Sequence, residues 1–155
     1  MSRFLPNLGQ RGSAGLPPPG LLDVRRLPGA RSSNSALAAP AGFQPPPDLV
    51  TRPFGAPPPA VFAAASAAAL SQPRTTLHRE FAGALQAHFV ARSALLGFPD
   101  LVALQVLPGA DGGSQLVIWS RSVYGRYDLG VNRRRLAAWV SAIDAALPNG
   151  ESLDA

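Results

Sequence analysis

The last third of the chain carries its clearest periodic signal. Leu136, Val140, Ile143 and Leu147 recur at spacings of four, three and four, the stripe of an amphipathic helix, with Trp139 beside it and Pro148, Asn149 and Gly150 closing it. Upstream, Leu101 to Leu107 and Gln115 to Val123 are rich in β-forming residues and flank the turn segment Pro108-Gly109-Ala110-Asp111-Gly112-Gly113, the pattern of a hairpin. Thr75 to Phe81 alternates Leu77, Arg79 and Phe81 with Thr76, His78 and Glu80 between Pro73 and Gly83, which predicts another strand. The stretch from Ala84 to Leu96 reads two ways. Its Ala and Leu content suits a helix, whereas Leu85, Ala87, Phe89 and Ala91 alternate with Gln86, His88, Val90 and Arg92, and we read it as a strand. A proline-led, Ala-rich run through Val61, Phe62 and Leu70, ended by Pro73, predicts a short helix. The order helix, four strands, helix predicts an α+β two-layer domain, a four-stranded antiparallel sheet with an N-terminal and a C-terminal helix.

Composition divides the chain before that domain. Of the 155 residues, thirteen of the seventeen prolines fall in the first 59, including Pro17-Pro18-Pro19, Pro45-Pro46-Pro47 and Pro57-Pro58-Pro59, each favouring local polyproline II and removing backbone donors. The expected division is a flexible Pro/Gly/Arg-rich arm over 1–33, an extended Pro-rich segment over 34–59 anchored partly by Leu37, Phe43, Leu49 and Phe54, the α+β domain over 60–148, and a disordered tail over 149–155. The proline triplets could dock on a protein partner that recognises proline. Charge splits the same way: residues 1–59 carry +4 and residues 60–155 carry +1. The field of the domain itself is therefore too weak for a phosphate-tracking surface, which argues against nucleic acid in spite of Trp119, Tyr124 and Tyr127 as stacking candidates.

The absence of Cys excludes disulfides, thiol catalysis and thiolate metal sites. No apolar run approaches the roughly 20 residues needed to cross a bilayer, and no secretory signal is visible behind Met1, so a cytoplasmic location is the default expectation. No cofactor or metal site is expected.

The most specific chemistry lies between Ser120 and Arg135. Asn132 is a plausible N-cap, and Arg133, Arg134 and Arg135 in the first turn oppose the helix macrodipole, so something anionic should answer them. Asp100 and Asp128 could do so internally as salt-bridge or capping partners. Alternatively an external anion could sit at the helix N-terminus on Arg121, Arg126, Asn132 and Arg133.

The blocks Gly97-Phe98-Pro99-Asp100, Ser120-Arg121-Ser122, Tyr124-Gly125 and Asp128-Leu129-Gly130-Val131-Asn132 with Arg133 to Arg135 resemble, in order and spacing, the bacterial family named domain of unknown function 1499. The resemblance reaches back through Pro73-Arg74-Thr75 to the segment Asn34 to Pro40, and so covers roughly residues 30 to 147. Trp119 and Val123 stand where many members carry further arginines. Members are often envelope-directed, although neither a lipoprotein cysteine nor a signal is written here. The resemblance implies no activity.

Two functions compete. The first is a non-catalytic binding or scaffold domain with a small anionic ligand at the last helix. The alternative is a hydrolase-like enzyme using His88 or His78 as base with Asp100 or Asp128 as orienter, which requires histidine and carboxylate to meet.

Overall fold

The computed structural model describes residues 10–27, 34–124 and 129–148. The elements run β1 (Ser35–Pro40), β2 (Leu49–Thr51), α1 (Pro58–Leu70), β3 (Thr75–Phe81), β4 (Gln86–Arg92), β5 (Pro99–Pro108), β6 (Ser114–Ser122) and α2 (Val131–Ala146). They form an α+β structure with one sheet in the order β2-β1-β6-β5-β4-β3. Six strands, not four, make the sheet, and the helix does not precede them all: β1 and β2 come before α1. The pairing is antiparallel except for β1 with β2, which run parallel.

The two added strands come from the segment expected to be extended and only partly anchored on the domain. Ser35-Ala36-Leu37-Ala38-Ala39-Pro40 has no β-branched residue, yet β1 lies next to β6 with Leu37, Ala38 and Ala39 wholly buried. Small side chains suit a strand covered on both faces, and the closing Pro falls where pairing with β6 has already ended. Asp48 ties the return to this strand: its N–H donates to the Leu37 carbonyl and its Oδ2 accepts from the Leu37 N–H, both at 2.8 Å. The ambiguous stretch after Ala84 forms β4, fully buried along its length, so the alternating pattern outweighs the helix-forming composition. At the β5–β6 turn, Gly113 is required by packing, because a Cβ there would lie 2.4 Å from the Phe54 carbonyl oxygen.

Both helices cover one face of the sheet. Val61, Phe62, Ala65 and Ala69 of α1 and Leu136, Trp139 and Ile143 of α2 pack on Phe89, Val102, Leu104, Leu116 and Ile118. Trp139 meets Phe89 edge to face at 5.5 Å. The C-terminal end of α2 is held by Arg52, which pairs with Asp144 at 3.1 Å, donates to the Leu147 carbonyl and lies 4.3 Å over the Phe54 ring. A cation there complements the negative end of the helix.

The other face carries a smaller core of Val24, Leu27, Leu37, Ala39, Phe43, Val117 and Trp119. Its cover is residues 10–27, which read in the sequence as part of a flexible arm. Physically, the cover is fixed by buried polar side chains of β4. Gln86 Oε1 accepts from the Leu22 N–H and Gln86 Nε2 donates to the Leu22 carbonyl, each at 2.9 Å. Arg92 donates to the carbonyls of Gly12, Ala14 and Gly97 at 2.8, 3.2 and 2.8 Å. Among the described residues no helix is long and apolar enough to cross a membrane.

Candidate functional site

The arginine-rich start of α2 and the open face of the sheet are separate places. At the helix, the N-cap position is Gly130, at φ +78°, with no side-chain cap. Asn132, expected as the cap, lies inside the first turn and is fully buried. Its Oδ1 accepts from Ser120 Oγ at 2.6 Å and Arg135 Nη1 at 2.9 Å, while its Nδ2 donates to Ser122 Oγ at 2.8 Å and the Asn34 carbonyl at 3.0 Å. Asn132 therefore joins α2 to β6 and to the start of β1. Arg135 Nη2 pairs with Asp100 Oδ2 at 2.7 Å, both side chains nearly buried. Arg134 donates to the Leu129 carbonyl, and Arg133 is exposed. Arg126 and Asp128 lie outside the described residues.

Arg121 does not join this group. Side chains alternate along β6, so Ser120 and Ser122 face α2 while Trp119 and Arg121 face the opposite way. The Arg121 guanidinium lies 5.0 Å over the Trp119 ring. Arg121 is thus divided from Asn132 and Arg133 by the thickness of the sheet.

Between the open face and the segment Leu16–Leu22 is a cavity of about 230 Å³. Its floor holds His88, Trp119, Leu101 and Ala103, with His78 at one side, Pro17, Pro18 and Pro19 above, and the exposed Arg121 at the rim. A register shift between Leu77 and Arg79 lets the successive side chains of His78 and Arg79 both reach the cover. His78 Nε2–H donates to the Pro17 carbonyl at 2.9 Å, and Arg79 Nη1 donates to the Pro19 carbonyl at 3.0 Å.

His88 is 7% exposed, and its Nε2 lies 2.7 Å from Gln86 Oε1. Since Gln86 Oε1 also takes the Leu22 N–H, the amide orientation is set by that backbone pair, so His88 Nε2 carries the proton and Nδ1 the lone pair. Burial, then the positive charges of His78, Arg121 and Arg79, lower the His88 pKa from 6.5 to about 4, so the ring is neutral at pH 7. Burial likewise lowers the pKa of Arg121, which remains charged. Among the described residues, His78 Nδ1 and Trp119 Nε1 are buried and meet no hydrogen-bond partner. None of the described residues lining the cavity is acidic.

Chemically, the site offers cationic and N–H groups over an apolar floor. Among the described residues no carboxylate orients His88: its partner is a carboxamide, and Asp100 is on the other face with Arg135. The pairing required by the hydrolase alternative is therefore not formed by Asp100. Among the described residues no three His, Asp or Glu side chains could hold a metal ion.

Sequence reading missed the cavity because its roof lies some sixty residues from its floor. One signal was present: Gln86, His88 and Arg92, interrupted by Val90, share one face of a strand that is buried along its length.

Such a molecule is a helix-backed sheet whose second face carries a covered pocket. The family model that matches, described as a protein of unknown function (DUF1499), spans residues 27–143, three quarters of the chain. The chain belongs to that family. No curated protein and no solved structure matches it.

Proposed function

We propose that this protein is a non-catalytic binding domain for a small anionic ligand, a monocarboxylate with a short apolar body, held between the open sheet face and residues 16–22. One observation carries the reading: a pocket with an apolar floor is lined by Arg121, His78 and His88 and, among the described residues, by no acid. A carboxylate at the rim would receive the planar fork of Arg121, while its chain would lie on Leu101 and Ala103. The volume, about 230 Å³, is below the usual range for drug-sized ligands and sets the scale of the guest. The start of α2 is the less favourable anion site, since Arg135 and Asp100 already neutralise one another there.

Hexanoate and hexanol, equal in chain length and different in charge, test this. Titration into isotopically labelled protein should shift the Trp119 indole and Arg121 side-chain resonances with hexanoate at concentrations where hexanol has little effect. Arg121→Gln should remove the preference, by about tenfold for a charge-assisted contact. Equal response to acid and alcohol, or none to either, would refute the assignment.

A further inference from the structure

The chain's own Pro17-Pro18-Pro19 is seated on the open face in the manner of a bound peptide. We propose that this face is a docking groove for a proline-rich segment of a partner protein, occupied here in cis by residues 16–22. Three observations point there. First, the contacts are those by which extended proline-rich peptides are held: rigid prolines over an aromatic and imidazole floor, with side-chain donors on their free carbonyls. His78 and Arg79 supply those donors to Pro17 and Pro19, and Trp119 is part of the floor.

Second, the cis segment is an imperfect occupant. It leaves about 230 Å³ unfilled beneath it, and the Trp119 N–H and His78 Nδ1 are buried with no partner among the described residues. A buried donor left unsatisfied is unfavourable, so a segment whose carbonyl reached the indole would be preferred on contact quality alone. Third, the family match begins at residue 27, so the cover from 16 to 22 lies outside the matched stretch, whereas β3, β4, β5 and β6 lie within it. The strands that form the groove lie in the matched stretch, and its present occupant lies outside it.

Tethering makes the cis segment hard to displace, because a short linker gives an effective concentration of about millimolar. The test therefore weakens the occupant without altering the groove. A fluorescent peptide of residues 14–22 is titrated into the full-length protein and into the full-length P17G/P18G/P19G variant, whose fold is checked by circular dichroism. The peptide should bind the variant at least about tenfold more tightly than the parent. Adding Arg79→Ala to the variant should remove most of that gain, and a peptide with its prolines replaced by glycine should not bind. Equal affinity for parent and variant overturns the proposal, as does a gain that survives Arg79→Ala. A dimeric variant that excludes peptide assigns the groove to a second copy and also overturns it. Should the variant not fold, millimolar peptide on the parent must speed exchange of the Leu22 amide, the mark of a displaced arm, and an unchanged rate refutes displacement. The proposal shares this cavity with the carboxylate reading and is told apart from it by residue: Arg79 decides this one and Arg121 the other.

Discussion

His88 shows how one residue records the character of the open face. It is buried and bonded to a carboxamide, and the ionisable neighbours that act on it, His78 and Arg79 on β3 and Arg121 on β6, all disfavour its protonation. Its pKa in the fold, about 4, lies below the 6.5 of an unconstrained histidine. The unfolded chain therefore takes up the proton first, and stability falls as pH drops from about 6.5 towards 4. At pH 5 the fold should give up about 2 kcal/mol relative to pH 7 through this group. The expected measurement is urea denaturation of the parent and His88→Gln across that interval, in which the advantage of the parent shrinks by that amount. Parallel pH profiles would mean that His88 is not held neutral.

At the scale of elements, α2 is placed by polar contacts at its N-terminal end as well as by its apolar stripe. Arg135, Asp100, Asn132, Ser120 and Ser122 form one buried network linking α2, β5 and β6. Breaking a buried pair from one side strands the other charge, at a cost of about 3–5 kcal/mol. Asp100→Ala should therefore lower stability by about 3 kcal/mol, and Asp100→Leu with Arg135→Met together should recover much of it, as read by urea midpoints. A melting point unchanged by Asp100→Ala would remove the structural role. The sequence made α2 legible through its 4-3-4 stripe, and the β5–β6 hairpin through its Gly-rich turn, because both signals are local. It left β1 hidden, since a strand buried on both faces by small residues shows neither alternation nor β-branching. The arginine cluster was legible as a charge problem, and Asp100 as one answer. Which arginine meets it was not, because that depends on the register of β5 with β6 and on the phase of α2.

For the whole molecule, the sheet separates two cores of unequal size, the larger under the helices and the smaller under residues 10–27. Stacked layers lie about 10 Å apart, so Ile143 on one side and Val24 on the other share no contact. The segment 10–27 should then open at lower free energy than the sheet, because it is held by the smaller core and a few side-chain bonds. The Leu22 N–H, bonded to Gln86 Oε1, reports that opening, and the ladder amides of β5 and β6 report global unfolding. Ile143→Val removes about 0.5–1.5 kcal/mol from the helix-side core. It should speed exchange of the ladder amides about two- to tenfold and leave Leu22 unchanged. Val24→Ala should speed both, since global unfolding includes release of the cover. This asymmetry follows from an ordered hierarchy in which the cover can leave without the helices, while the helices cannot leave without the cover. It is also what a displaceable occupant of the open face requires. If Ile143→Val accelerates Leu22 in step with the ladder, the two faces unfold as one unit and the cover is an integral layer of the fold.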